Sequence, residues 1–266
     1  MLRVSLITVT MGDRPGELAR LRSSLGHQTY RNFEHIVINQ REHPEFRGGL
    51  SRARNYGLTL ATGDVVAFPD DDAWYGPDLL ESVSVMLADP ENDGVSFRVV
   101  DEHGNCSAGG WMSAGKKTVT KSTVWHTVVS CSFFVKRKNL GSVCFDEGLG
   151  VGSGTRFGSG EETDFVLRLI ENGVKIVYDG SKCVYHPMPT GKTSVSKGWL
   201  YGNGYGLVLR RHRYSVWRLS WAMCVQFART MQSILQLRLK KAAYHIAMAS
   251  GRFAGYFNSK HETLNR

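Results

Sequence analysis

Three consecutive aspartates, Asp70-Asp71-Asp72, follow the apolar run Val65-Val66-Ala67-Phe68. Adjacent carboxylates repel, and burying them unpaired is costly. A strand that delivers such a cluster to its own end therefore needs a cation there. Hard divalent ions such as Mg²⁺ or Mn²⁺ take carboxylate oxygens and are commonly shared with substrate phosphates. The cluster is read as a metal–diphosphate site. The competing reading is an acidic loop in which Asp72 caps the next helix. In extended backbone alternate side chains share a face, so Asp70 and Asp72 are expected to point together and Asp71 away from them.

A second acidic group, Gly160-Glu161-Glu162-Thr163-Asp164, opens a helical pattern behind a glycine-rich stretch, Gly148 to Gly160. Acids at a helix N-terminus are favoured by the dipole, and Asp164 can pair with Arg168 one turn on, so a purely structural role is open. Glu161 and Asp164 share a helix face. Glu162 points elsewhere and is the freer to act as a base. His186 closes the run Cys183-Val184-Tyr185-His186 before Pro187. It is read either as a structural histidine or as a nitrogen ligand for a Mn²⁺-like ion. Arg52, Arg54 and Asn55 lie before and within a helix. Guanidinium suits a diphosphate, and the alternative is an exposed basic helix face.

The elements that must position these groups alternate. Val4–Thr10, Phe33–Ile38 and Val65–Phe68 read as strands. Gly16–Leu25, Ser51–Ala61 and Pro77–Leu87 read as helices, the last with proline at its start. Such alternation predicts βαβ units and a largely parallel sheet, with ligands off the carboxyl ends of the strands. The aspartates fall at such an end. Further strands are expected at Val95–Val100, Val119–Trp125, Val128–Val135, Val174–Tyr178 and Cys183–His186. A helix is expected over Glu161–Asn172, stopped by Gly173. Beyond Trp199 the chain reads as helix.

The 266 residues suffice for a full core, and 21% charged with 42% hydrophobic residues describe a globular chain. The N-terminus has no long apolar run, so no signal peptide is expected. The five cysteines are scattered without a C-x-x-C pair, which argues against a zinc site or disulfide framework and for reduced thiols in a cytoplasmic setting. Gly110–Lys117 and Gly191-Lys192-Thr193 miss the phosphate-loop pattern, and no nucleophile elbow occurs. Asn105-Cys106-Ser107 spells a glycosylation acceptor, discounted without a secretory signal.

The net charge of +9 is concentrated: from Trp199 onward there are 11 Lys+Arg and one acid, Glu262. On a continuous helix from Tyr214 to about Met248, Arg211, Arg218, Arg229, Gln232, Gln236 and Lys240 gather on one side. Trp217, Trp221, Cys224, Ala228, Met231, Ile234 and Leu235 gather on the other. Polar interruptions exclude a spanning helix. The pattern suits an interfacial helix on a membrane or a helix docked on the rest of the chain. Nucleic-acid binding is disfavoured by the bulky apolar face.

Taken in order, these residues resemble family 2 inverting glycosyltransferases of the GT-A fold, of the bacterial surface-polysaccharide kind. The resemblance covers roughly residues 2 to 188. It rests on Ser5-Leu6-Ile7-Thr8-Val9-Thr10, Gly49 to Gly57, Gly63-Asp64 through the aspartates, Phe145-Asp146-Glu147, Gly160 to Asp164, and His186. It implies a Rossmann-like mixed α/β sheet flanked by helices over residues 1–198, with a nucleotide-sugar half (about 1–95) and an acceptor half (about 96–198), and a basic amphipathic helical extension over 199–266. It implies a divalent metal, Mn²⁺ or Mg²⁺, on Asp72, Asp70 and His186. Donor binding would fall to Thr8, Thr10, Asn39, Arg52, Arg54, Asn55, Asp70 and Asp71, and catalysis to Glu162, Glu161 and Asp164. Where relatives often carry an acid pair after the second strand, Asn39-Gln40 stands here. The donor nucleotide is open among UDP, dTDP and GDP. The acceptor would be a glycan or lipid-linked saccharide, and the enzyme would sit peripherally on the inner face of the cytoplasmic membrane. The alternative is a GT-A-like module that binds nucleotide or glycan without turnover.

Overall fold

A computed structural model of the chain describes residues 1–46, 49–106, 113–188 and 193–258. The rejected glycine–lysine stretches and the glycosylation triad lie partly outside them. Among the described residues are eight strands: β1 (Val4–Thr10), β2 (Phe33–Asn39), β3 (Val65–Ala67), β4 (Trp74–Tyr75), β5 (Gly94–Val100), β6 (Lys116–Thr118), β7 (Phe133–Lys136) and β8 (Ile176–Tyr185). Seven helices accompany them: α1 (Pro15–Gly26), α2 (Leu50–Leu60), α3 (Leu79–Ala88), α4 (Glu161–Glu171), α5 (Val195–Arg211), α6 (Val216–Leu235) and α7 (Leu239–Phe257).

The strands form one mixed sheet, ordered β2-β1-β3-β7-β5-β8-β4, with β6 also on β8. The β2-β1-β3 part is parallel, as the alternation of strand and helix predicts, whereas β7 runs antiparallel to both β3 and β5. The central strands are apolar on both faces and buried, Val65, Val66 and Ala67 completely so. Phe68, Phe145 and Phe165 continue that core as an aromatic cluster, with ring centroids 4.3 to 5.9 Å apart.

The chain divides into two compact units that follow no single chain boundary. One comprises Met1–Arg47, Arg52–Phe145 and Phe165–Pro189, and holds the whole sheet. The other gathers Gly48–Ser51, Asp146–Asp164 and Thr190–Arg266. Helix α4 thus gives its first turn to the second unit and the rest to the first.

Several expected elements differ. Val119–Trp125 is not a strand: β6 ends at Thr118, and Thr120 and Thr123 exchange side-chain and backbone hydrogen bonds that close a turn before the 3₁₀ turn Val124–His126. In the expected strand Val128–Val135, Ser130–Ser132 is a 3₁₀ turn, and extended structure starts only at Phe133. Val174–Tyr178 and Cys183–His186 join into the single strand β8. Its register against β5 slips between Phe97 and Arg98, where Asp179 takes hydrogen bonds from the N–H and hydroxyl of Ser181.

The tail is three helices rather than one. Helices α5 and α6 each end with a left-handed residue, Arg213 (φ 53°) and Leu237 (φ 55°). The following N–H groups reach back five residues, Tyr214 to the Leu209 carbonyl at 2.9 Å and Arg238 to that of Ser233 at 2.8 Å. This is the Schellman termination, built here without glycine. Ser194 and Ser215 cap the starts of α5 and α6. Helices α5 and α7 pack backbone to backbone: a Cβ at Gly202 would lie 2.3 Å from the Met248 carbonyl oxygen, and one at Gly255 2.1 Å from that of Asn203.

Candidate active site

Strand β3 stops at Ala67, and Asp71-Asp72 occupy a turn closed by the Ala73 N–H on the Asp70 carbonyl at 3.1 Å. The alternation expected of an extended segment therefore fails. Asp71 and Asp72 share Arg14, while Asp70 pairs with Arg54 and acts with Asp72 on His186. One guanidinium bridges the pair: Arg14 Nη2 donates to Asp71 Oδ1 and Nη1 to Asp72 Oδ2, both at 2.6 Å. Asp71 is buried and also accepts from the hydroxyl of Thr10, at the end of β1, at 2.6 Å. Asp70 Oδ1 accepts from Arg54 Nη2 at 3.1 Å, and Arg54 also donates to Ser130 Oγ at 3.1 Å. At 3% exposure Arg54 is no part of an open basic face; α2 presents it inward to the aspartates.

His186 follows β8, its N–H on the Val100 carbonyl. Its Nδ1 lies 2.8 Å from the Pro187 carbonyl oxygen, and its Nε2 3.2 Å from Asp72 Oδ1. The first contact makes Nδ1 the donor and leaves Nε2 facing the carboxylate. Residues 114 positions apart in sequence thus meet at one point. Arg20, on α1, donates to the Asp72 carbonyl at 3.0 Å and stacks 3.9 Å above Trp74, which in turn stacks on Tyr185. The turn is therefore held from both the β1 and the β8 side.

The electrostatics separate the three acids. Burial works against the Asp72 carboxylate, but the hydrogen bond and charge of His186 and the guanidinium of Arg14 outweigh it and hold its pKa at about 2. Burial dominates at Asp71, pushing its pKa up despite the Thr10 hydroxyl and Arg14. Burial also opposes the His186 imidazolium, yet Asp72 and Asp70 raise its pKa above the ordinary value.

The remaining expected donor residues of this unit are engaged with other partners, Asn39 from its place beside Thr10 at the end of β2. Thr8 is fully buried with its hydroxyl 3.0 Å from His35 Nε2. Asn55 gives both ends of its amide to the Phe145 backbone, at 2.8 and 2.9 Å. Arg52 stands over the Phe46 ring, and Asn39 holds Glu42 and the N–H of Arg41. Sequence reasoning missed Arg14. Its signal was a cation in the loop directly after β1, at a carboxyl end of the same sheet.

In the second unit, Asp164 is 0% exposed and accepts from Arg211 Nη1 at 2.8 Å and lies 3.0 Å from His212 Nε2. Arg211 reaches Asp146 as well, at 2.8 Å. Arg211 and His212 were also missed: they lie at the end of α5, in the segment read as tail. Glu161 is buried, with the Gly150 backbone packed against its carboxyl, and Glu162 is the more exposed of the two. Tyr201 of α5 lies near both acids; burial first, then the charge of Glu161, pushes its pKa up.

A model of glycosyl transferase family 2 matches residues 41–140, which contain the three aspartates, Arg54 and Ser130. No curated protein sequence matches the chain. Among solved structures, the fold is similar to S. aureus TarS, with a TM-score of 0.55 and 17% identity over 78% of this chain and 40% of that one. The chain thus spans well under half the length of that relative. TarS 1–349 in complex with UDP superposes over 98% of this chain and 92% of that chain, at 16% identity and TM-score 0.55. The mannosyltransferase PcManGT from Pyrobaculum calidifontis, in complex with GDP-Man and Mn²⁺, gives a TM-score of 0.61 at 14% identity, over 97% and 88% of the two chains. These likenesses are of fold. Residues 41–140 of the chain are thus similar to glycosyl transferase family 2, and the mixed sheet that carries the aspartates has the GT-A fold of these solved structures.

Proposed function

We propose that the protein transfers a sugar, with inversion, from a UDP-, dTDP- or GDP-linked donor to a saccharide or lipid-linked acceptor in bacterial surface-polysaccharide synthesis, and that a divalent metal supports the reaction. The observation that carries this reading is the meeting of Asp72, which lies inside the family match, with His186 Nε2 at the carboxyl end of β3.

Among the described residues no three His, Cys, Asp or Glu side chains converge as a ready-made metal cage. The donor set nevertheless fits Mn²⁺ or Mg²⁺. These ions commonly take one or two protein ligands and draw the rest from water and substrate phosphates. Asp72 and His186 offer an oxygen and a nitrogen that face each other, and Arg14 marks the same carboxylates as a seat for positive charge. Asp72 and His186 would hold the ion, with Asp70 beside them. When bound, the ion would neutralise charge that develops on the departing diphosphate.

The chain's own groups carry the rest. Arg54, held inward by Asp70 and Ser130, suits a phosphate oxygen. Thr10 fixes Asp71 and so fixes the turn. Glu162 is assigned as the general base that takes the proton from the acceptor hydroxyl as it attacks the anomeric carbon. Glu161 is buried under Gly150, and Asp164 is engaged with Arg211 and His212; both support the helix start that presents Glu162. The helical tail would place the enzyme on the inner face of the cytoplasmic membrane.

The test is a screen of UDP-, dTDP- and GDP-sugars with the purified chain and Mn²⁺, read as donor hydrolysis and thermal shift. Metal-dependent turnover that drops by roughly 10²–10⁴ in Glu162→Gln, with an unchanged melting temperature, is expected. Donor binding without any turnover would favour the non-catalytic module. Full activity in Glu162→Gln would remove the base assignment.

A further inference from the structure

The three tail helices invert the usual arrangement of a water-soluble bundle. Helix α6 buries Leu219, Ala222, Gln226, Thr230 and Ser233, a line made mostly of small and polar residues. Its large apolar residues face outward: Trp217 is 84% exposed, Trp221 63% and Leu235 81%, with Phe227, Met231 and Ile234 on the same side. Helix α7 repeats this, burying Ala242, Ala249, Gly251 and Gly255 while Leu239, Ile246 and Phe253 look out. The inner contacts are those of close helix approach. Gly198, Gly202 and Gly206 of α5 meet Ala247, Gly251 and Gly255 of α7 at four-residue spacing. Small residues inside and bulky apolar ones outside suit a bundle whose outer solvent is apolar. A continuous outward patch of this kind marks an interaction surface.

Charge identifies the occupant. From Val195 through Asn258 the chain has ten Lys and Arg and no Asp or Glu. Arg218 and Arg229 flank the apolar side of α6, and Arg238, Lys240 and Lys241 cluster where α6 passes into α7. Inside the bundle Arg252 donates to the Ala222 carbonyl and lies against Tyr205. Burial and the like charges of Arg229 and Arg218 act on it together. A second copy docked face to face would set two acid-free basic surfaces against each other. An anionic bilayer satisfies both the apolar and the cationic groups, with tryptophans at the headgroup level. No helix among the described residues is long and apolar enough to cross a membrane, so the face lies in the plane of the surface.

We propose that the outward face of α6 and α7, led by Trp217, Trp221 and Leu235, inserts into the headgroup–acyl boundary of an anionic bilayer, with Arg218, Arg229 and the Arg238–Lys241 cluster on the lipid phosphates. This rests on the membrane part of the proposed function and specifies its surface and its lipid chemistry. The full chain is floated with vesicles of equal parts phosphatidylglycerol and phosphatidylcholine, and with pure phosphatidylcholine. Binding to the anionic vesicles with a blue shift of tryptophan emission is expected. Combining Trp217→Ser, Trp221→Ser and Leu235→Ser should lower partitioning roughly tenfold or more while the melting temperature holds. Lys240→Glu with Lys241→Glu should weaken binding to the anionic vesicles. Undiminished binding by the apolar triple variant overturns the assigned face alone. Equal binding of the parent to neutral vesicles overturns the anionic recognition. Absence of vesicle binding, with a solution dimer that the triple variant dissociates, assigns the face to a second copy and overturns the membrane reading as well.

Discussion

His186 Nε2 stands 3.2 Å from Asp72 Oδ1 while its other ring nitrogen is committed to the Pro187 carbonyl. The two groups shift in opposite senses, and each gives a distinct pH signature. Asp72 has its pKa held at about 2 against 3.8, so its contribution, about 2 kcal/mol, is present above pH 3.8 and lost as pH falls through 2. His186 is raised above 6.5, so its contribution is present below 6.5 and lost as pH rises through its folded value. In EDTA, melting temperature should therefore fall on the alkaline side, and His186→Gln should flatten that fall and also shrink the acid limb, because His186 is the main group that holds Asp72 down. Identical alkaline slopes in the two proteins would contradict the pairing.

Arg14 gives the second prediction. Its guanidinium holds Asp71 and Asp72 together, so Arg14→Ala leaves adjacent carboxylates without that cation. Arg14 is half exposed, which limits the loss to about 1 kcal/mol in EDTA. Mn²⁺ should restore more stability to the variant than it adds to the parent, since ion and guanidinium neutralise the same charges. Paired thermal melts with and without Mn²⁺ decide this, and equal metal shifts would speak against a shared seat.

Asp164 separates a structural from a chemical role. Removing Arg211 takes its guanidinium away from a fully buried carboxylate that His212 also faces. Arg211→Met should cost about 3–5 kcal/mol in denaturant unfolding. Asp164→Asn, which removes the charge as well, should cost less. If Arg211→Met left stability intact but abolished transfer, Asp164 would belong to the chemistry instead.

The contact of α5 with α7 admits no side chain at Gly202. Gly202→Ala places a methyl 2.3 Å from the Met248 carbonyl oxygen and should destabilise the chain by about 1–3 kcal/mol. Calorimetry checks it. Gly104→Ala provides a contrast: nothing lies within 4 Å of its added Cβ, and its φ of +81° makes the cost one of backbone strain instead of packing.

What the sequence made legible was local. The aspartates, the strand before them and the acidic helix start each lie within a few residues, and alternating apolar segments gave the parallel part of the sheet. The sharing of Asp71 and Asp72 by Arg14 spans 57 residues, and the partnership of Asp164 with Arg211 spans 47; no periodicity encodes either. The breaks in the tail were hidden because Arg213 and Leu237 occupy positions where glycine is the usual signal. The strand over Val119–Trp125 failed because its threonines bond to their own backbone.

The second unit has a further consequence for biosynthesis. Ser51 donates to the Leu149 carbonyl 98 residues later, and Asp164 waits for Arg211 and His212, 47 and 48 residues on. A nascent chain that has emerged only as far as α4 carries the acidic turn without the cations that neutralise it. Full pairing of that turn therefore follows the emergence of α5, well after the strands that make up the sheet.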